Sequence, residues 1–143
     1  GYEVYGMIKR MLLVGLRAFE DEYNMKYSFF IPSTLYGENY DLHDRHFIYD
    51  LIKKICLAKH KEQEPVVLWG TGDQRRELIY VRDAVKVILN KISQEERMIN
   101  LSTGLDYSIK DYARAICDLV DYDFNKITFD TKVIFFHSIQ PIS

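Results

Sequence analysis

Three tyrosine–lysine pairs with a spacing of four residues could support proton-transfer chemistry. The pairs are Tyr5/Lys9, Tyr49/Lys53 and Tyr122/Lys126. Residues four apart share one face of a helix, where an ammonium group can stabilise a phenolate and suit the tyrosine to proton transfer near neutral pH. Because the spacing occurs three times, it identifies no catalytic pair by itself. The ordinary alternative for each pair is the surface of an amphipathic helix.

The composition is that of a single folded domain. The chain has 143 residues, of which 48% are apolar and 28% are charged. A net charge of −2 argues against broad electrostatic attraction, so we expect no nucleic-acid or membrane partner. No apolar run has membrane-spanning length and no signal-peptide pattern is present, which predicts a cytoplasmic location. Cys56 and Cys117 lie in apolar helical stretches, so we expect reduced core residues rather than a disulfide or metal ligands.

Periodicity and turn residues predict mostly alternating helices and strands. We expect helices over 3–23, 46–60, 83–92 and 108–120, the last with a capping box formed by Ser108 and Asp111. We expect strands over 27–32, 65–70, 76–81, 98–102 and 126–130, the first of them buried and ended by Pro32. Residues 33–44 are polar and predict a loop. This order of elements indicates an α/β fold with parallel sheet.

Four segments, in order and at matching intervals, resemble one enzyme superfamily. They are "YGMIK", "IPSTLYGENYDLHDRHFI", "VVLWGTGDQRRELIYVRDAV" and "INLSTGLDYSIKDYARAI". Over roughly residues 3–130 the chain resembles the extended short-chain dehydrogenase/reductases, which are NAD-dependent epimerases and dehydratases with a Rossmann-type fold. Within them it is most similar to the GDP-L-fucose synthase family. Four such blocks are far more specific than a lone Tyr-x-x-x-Lys.

The resemblance implies catalytic roles for three residues. Tyr5 takes the position of the general acid that protonates the C4 oxygen while hydride adds to C4. Lys9 takes the position that binds the nicotinamide ribose and assists the tyrosine. His46 aligns with the acid used in epimerisation at C3 and C5, close to the cofactor. The other two tyrosine–lysine pairs match no catalytic position.

The same resemblance implies binding residues for the cofactor and the substrate. The cofactor positions, besides Lys9 and His46, are those whose backbone wraps the nicotinamide: Pro32, Ser33, Thr34 and Leu35. Thr34 replaces the asparagine usual in the family. The nucleotide-sugar positions are Lys54, Trp69 and Arg76, with Lys54 replacing an arginine. A guanidinium suits a diphosphate because its planar fork donates two parallel hydrogen bonds. Arg75 could substitute for Arg76, and core packing is the alternative for Trp69.

Several parts of the family pattern are missing. None of the seven glycines forms the glycine-rich turn between a first strand and a first helix. The family's catalytic serine or threonine and its cysteine base would both precede Tyr5. We therefore expect residues 1–130 to be the C-terminal half of such an enzyme, which comprises part of the Rossmann-type fold and the smaller substrate-binding α/β region. The first βαβ half would be absent and the NADP site incomplete. Residues 131–143 depart from the family and are expected to be a divergent or truncated tail.

The implied activity is that of an NADP-dependent GDP-4-keto-6-deoxy-mannose 3,5-epimerase/4-reductase in nucleotide-sugar biosynthesis. The expected partners are a GDP-sugar substrate and a second copy of the chain, bound through the helix that carries Tyr5 and Lys9. One alternative is a related nucleotide-sugar epimerase, reductase or dehydratase. Another is an inactive remnant that binds a nucleotide-sugar or a homologous partner.

Overall fold

The computed structural model describes residues 2–38, 46–60, 65–92 and 97–132. The helices of this part are α1 (Tyr2–Tyr23), α2 (Phe47–Lys59), α3 (Val81–Lys91), α4 (Ile109–Val120) and a 3₁₀ turn η1 (Phe124–Lys126). The strands are β1 (Phe29–Pro32), β2 (Thr34–Tyr36), β3 (Val66–Trp69), β4 (Arg75–Tyr80), β5 (Met98–Leu101), β6 (Asp106–Ser108) and β7 (Ile127–Asp130). Among these helices, none is both long and apolar enough to cross a bilayer.

The strands form three small sheets that are mostly parallel. β1 pairs in parallel with β5, and β3 pairs in parallel with β7. β2 runs parallel to β4, whose other edge pairs with β6 in the antiparallel direction. Parallel neighbours need a crossover connection, which the intervening helices provide. The predicted α/β architecture is therefore confirmed.

The main core lies between α2, α4 and the β3–β7 pair. Its most deeply buried side chains are Ile55 and Ala58 on α2 and Ala113 and Cys117 on α4. Both cysteines are free, as predicted, although Cys56 is only partly buried. A smaller cluster joins β1, β4, α3 and β5 around Ile79, Ala84, Ile99 and Leu101. The predicted capping box starts α4, with the Ser108 hydroxyl accepting from the Asp111 backbone N–H.

The prediction of a buried strand over 27–32 was wrong in its bounds and its burial. The strand begins at Phe29, and Ile31 remains 41% exposed. Among the described residues β1 pairs only with β5, so its other edge has no neighbouring strand to cover it.

The prediction of a loop over 33–44 was also wrong in part. Residues 34–36 are β2, because pairing with β4 satisfies their backbone groups despite a polar, glycine-containing context. The short strand β6 and the turn η1 were not predicted. Residues 39–44 of the predicted loop and residues 133–143 of the predicted tail lie outside the described part of the chain.

A carboxylate fixes the connection between β5 and β6. Glu77 on β4 accepts hydrogen bonds at Oε1 from the Gly104 N–H at 2.8 Å, from the Thr103 hydroxyl at 2.9 Å and from the Thr103 N–H. These donors lower the pKa of Glu77 because they stabilise its charged form. The connection is thus held against β4, which brings β6 to the edge of that strand.

Candidate active site

A cavity of about 690 Å³ opens at the carboxyl end of β1, where the chain passes into β2. Its walls come from α1, the β1–β2 segment, the start of α2 and the start of α3. The lining residues are Tyr5, Pro32, Ser33, Thr34, Leu35, Tyr36, Gly37, Glu38, His46, Tyr49 and Val81. The cavity thus joins Tyr5, His46 and the 32–35 segment, which lie far apart in the sequence.

Tyr5 reaches the cavity from α1, and Lys9 lies one helical turn further along. The Lys9 ammonium is 5.2 Å from the centre of the Tyr5 ring, and Tyr5 is 63% exposed. Tyr122 and Lys126 make a similar contact at 5.9 Å, although Tyr122 does not line this cavity. The local geometry of the pair is therefore common to both sites. The cavity distinguishes Tyr5 from Tyr122.

The 32–35 segment turns sharply between its two strands. The Ser33 backbone N–H donates to the Leu101 carbonyl oxygen at 2.8 Å, which continues the pairing of β1 with β5 beyond Pro32. The Ser33 hydroxyl oxygen is buried and has no hydrogen-bond partner among the residues that the structure describes. An unpaired buried hydroxyl costs free energy, so this segment has the capacity to take a further polar partner.

His46 precedes the first residue of α2 and faces the cavity. Its backbone carbonyl accepts hydrogen bonds from the N–H groups of Tyr49 and Asp50, while its side chain makes no capping hydrogen bond to the helix. The backbone therefore fixes the position of His46 at the start of α2, where the residue lines the cavity.

Tyr49 belongs to the cavity although the sequence indicated only a structural residue. The Gly37 N–H donates to the Tyr49 hydroxyl at 3.1 Å, so the phenol holds the end of β2 against α2. Its position three residues after His46 places both on one face of α2, which is a signal that the sequence contains. The role remains structural, but it shapes the wall beside His46.

The Glu38 carboxylate lies at the edge of the cavity. The Tyr80 hydroxyl donates to Glu38 at 2.7 Å, and Arg82 pairs with the same carboxylate at 3.3 Å. The Tyr80 hydrogen bond and the Arg82 charge lower the pKa of Glu38, and the carboxylate in turn raises the pKa of Tyr80. These contacts hold Glu38 against the start of α3.

Two of the three predicted substrate-binding residues contact each other outside the cavity. The Lys54 ammonium is 5.5 Å from the centre of the Trp69 ring and forms an ion pair with Asp50 at 2.8 Å. Trp69 is 54% exposed, so core packing does not explain it. Positions 46, 50 and 54 follow one face of α2, which separates His46 from Lys54 by ~12 Å along the axis. The helix thus runs from the cavity to the Trp69 side chain.

Arg75 and Arg76 point to opposite faces of β4, because successive side chains alternate along a strand. Arg75 forms an ion pair with Asp106 at 3.0 Å, which raises the pKa of Arg75 and lowers that of Asp106. Arg76 donates to the Arg75 carbonyl oxygen at 2.9 Å and pairs with no carboxylate among the described residues. Of the two guanidinium groups, Arg76 is therefore the one with charge available to an anion.

The turn between Trp69 and Arg75 is held against α4. The Lys110 N–H donates to the Gly72 carbonyl oxygen at 3.0 Å, and the Lys110 ammonium pairs with Asp73 at 2.8 Å. Gly72 has a φ of +77°, and a Cβ there would overlap the Phe129 ring and lie 2.8 Å from Lys110 Cγ. The turn requires glycine both for its backbone and for its close contact with α4 and β7.

Sequence comparison identifies the family. The profile of the NAD dependent epimerase/dehydratase family matches residues 2–102. The chain belongs to this family. The GDP-L-fucose synthase of Dictyostelium discoideum is 37% identical over 136 residues, which are 91% of this chain and 42% of that protein. The GDP-L-colitose synthase of Yersinia pseudotuberculosis is 32% identical over 107 residues, which are 71% of this chain and 35% of that protein.

Structure comparison supports the same family. A crystal structure of a GDP-L-fucose synthetase from Naegleria fowleri matches with a TM-score of 0.75 at 27% identity, over 90% of this chain and 42% of that one. A second structure of that synthetase is bound to NADP. The predicted resemblance is confirmed, and so is the prediction of an α/β fold that matches part of a Rossmann-type epimerase. The chain spans less than half the length of these relatives.

Replacing each of two glycines by alanine tests why the turn between Trp69 and Arg75 requires glycine at position 72. Gly72→Ala should lower the free energy of unfolding by about 1–3 kcal/mol more than Gly104→Ala, because the added methyl group must displace Phe129 and Lys110. Gly104 is the matched control: its φ is +75°, but no atom lies within 4 Å of the position of its Cβ. Urea denaturation measures both values. Equal losses would show that backbone conformation alone determines the need for glycine at position 72.

Proposed function

We propose that the chain carries the substrate-binding residues and the catalytic tyrosine of an NADP-dependent GDP-4-keto-6-deoxy-mannose 3,5-epimerase/4-reductase. The observation that carries the proposal is the cavity in which Tyr5 and His46 face one space beside the 32–35 segment. The relatives named GDP-L-fucose synthase and GDP-L-colitose synthase support a GDP-linked sugar as the substrate class.

The residues of the cavity fit the nicotinamide end of a dinucleotide. Pro32 to Leu35 would hold it with their backbone, and the buried Ser33 hydroxyl has no polar partner within the described ranges of the chain. Lys9 would bind its ribose. NADPH, when bound, supplies the hydride that reduces C4. The Naegleria fowleri synthetase bound to NADP supports this choice of cofactor.

The side chains would divide the proton transfers between them. Tyr5 would donate its proton to the C4 oxygen as reduction proceeds, with the Lys9 ammonium 5.2 Å from the centre of its ring. His46, which lines the same cavity, would return a proton to C3 and C5 during epimerisation. Both groups are reached from the cavity, so one sugar ring could meet both without leaving the site.

The GDP portion would extend from the cavity along α2 and β4. Lys54 and Trp69 offer a cation beside an exposed indole, and Arg76 offers a guanidinium that no described carboxylate neutralises. Such a fork suits the diphosphate, and the ~12 Å between His46 and Lys54 separates the reacting sugar from the nucleotide.

The helix α1 supports a homodimer as the proposed assembly. Its apolar residues at 4, 7, 11 and 14 follow a three–four spacing along one face, and each is between 61% and 66% exposed. The half-buried residues Leu13, Leu16 and Glu20 lie on the opposite face, towards the rest of the chain. Tyr5 and Lys9 are on that inner half. Pairing through the outer face would bury the apolar seam and leave the cavity open.

Binding of GDP tests the substrate assignment. Trp69 is the single tryptophan, so its fluorescence reports ligand at the proposed site. Arg76→Ala should weaken GDP binding about 10- to 100-fold because charge-assisted hydrogen bonds to phosphate are lost. Arg75→Ala is the matched control, since that residue lies on the other face of β4, and its affinity should stay within about twofold. Wild-type protein that does not bind GDP would overturn the proposal.

Replacing Tyr5 tests the assigned chemistry. The variants are compared in a chimera in which this chain replaces the matched segment of the Dictyostelium discoideum synthase. Tyr5→Phe should slow C4 reduction by about 10²–10⁴-fold, because the proton donor is removed, yet retain deuterium exchange at C3 and C5. Tyr23→Phe, at the far end of the same helix, should leave both rates unchanged. A Tyr5→Phe chimera that reduces C4 at the original rate would refute the role of Tyr5.

Sedimentation tests the assembly. The chain should sediment as a dimer, and Met11→Glu should shift it to a monomer because a charge would be buried at the centre of the apolar seam. Arg17→Glu is the control, a charge change about a quarter turn away from the seam. A wild-type monomer at micromolar concentration would contradict the proposed homodimer.

A further inference from the structure

Strand β6 places an aromatic side chain directly beside Arg76. In the antiparallel ladder Tyr107 is the partner of Arg76, so the two side chains project from the same face of the sheet. Directly opposed residues have Cβ atoms ~5 Å apart. The sequence, in which 31 positions separate them, gives no sign of this proximity.

The position of Tyr107 is fixed by its neighbours. Its ring packs edge-on against Tyr112 of α4, with 5.9 Å between the ring centres. The Tyr112 hydroxyl donates to the Arg76 backbone carbonyl at 2.9 Å, so one residue of α4 contacts both members of the pair. Tyr107 remains 48% exposed, and within the described part of the chain its hydroxyl has no hydrogen-bond partner.

The nearby acidic groups do not oppose an anion on this face. Glu77 and Asp106 are partners of each other on the opposite face of the ladder. There Glu77 accepts bonds from the Thr103–Gly104 backbone, and Asp106 pairs with Arg75. Asp111 is engaged with Ser108 at the start of α4. The face that carries Arg76 therefore presents a guanidinium and a phenol without an adjacent unpaired carboxylate among the described residues.

We propose that Tyr107 is a further substrate-binding residue, whose hydroxyl donates a hydrogen bond to the same diphosphate that Arg76 binds. This inference rests on the proposed function and adds a donor to its substrate site. Phosphate oxygens are strong acceptors, and a phenol held by a ring contact loses little conformational entropy on binding. Tyr36 lies on the same face, but the distance from position 76 to position 80, opposite Tyr36, is ~13 Å along β4. Tyr36 therefore belongs to the cavity end.

Titration of the full chain with GDP, followed by Trp69 fluorescence, tests the inference. Tyr107→Phe keeps the ring that packs on Tyr112 and removes only the hydroxyl, so the melting temperature should be unchanged while the GDP dissociation constant rises about tenfold. Tyr23→Phe, which removes the hydroxyl of an exposed tyrosine at the end of α1, is the matched control and should bind GDP like the wild type. In the double variant Arg76→Ala/Tyr107→Phe the losses should be smaller than additive, since both groups hold one diphosphate.

The outcomes separate the two proposals. Wild-type binding of GDP that Tyr107→Phe leaves unchanged overturns the role of Tyr107 and leaves the proposed function standing. Additive losses in the double variant overturn the shared diphosphate. A wild-type chain that does not bind GDP overturns both the inference and the function on which it rests.

Discussion

Strand β4 is paired on both edges, and the alternation of its side chains decides which groups face the candidate site. Its parallel register with β2 places Tyr80 beside Tyr36 at the cavity, and its antiparallel register with β6 places Arg76 beside Tyr107. A shift of one residue in this pairing would place Arg75 instead of Arg76 on the face that carries Tyr107. The Glu77 contacts with Thr103 and Gly104 hold β6 in place and so protect this register.

The buried core lies at one end of the candidate site. α2 and α4 share a dense core with β3 and β7, and these elements carry or support Lys54, Trp69 and Arg76. The turn that follows Trp69 is pinned by Lys110. By contrast, α1 contributes Tyr5 from a helix whose outer face is apolar and exposed. The proposed nucleotide end is thus preformed, whereas the position of Tyr5 depends more on what covers α1.

The sequence predicted the long helices well, because a segment whose apolar residues repeat with a period of 3.6 carries the signal for a helix in its own residues. It did not predict β2 or β6. Each has three residues, and each exists because β4 offers it a pairing edge, a property of the assembled fold rather than of the segment. The same limit applies to the site. The resemblance identified Tyr5 and Arg76 as site residues. Tyr49 and Tyr107 became visible only in the structure, where Tyr49 contacts Gly37 and Tyr107 lies opposite Arg76.

The central claim is that the cavity and the Trp69–Arg76 region are two ends of one nucleotide-sugar site. Amide NMR spectra of the chain titrated with GDP-L-fucose and, separately, with GDP test it most directly. GDP-L-fucose should shift the signals of Thr34 and Gly37 at the cavity together with those of Trp69 and Arg76, with one dissociation constant. GDP should shift only the second group. Shifts by GDP-L-fucose that leave the cavity signals unchanged, or that fit two unrelated constants, would contradict the account.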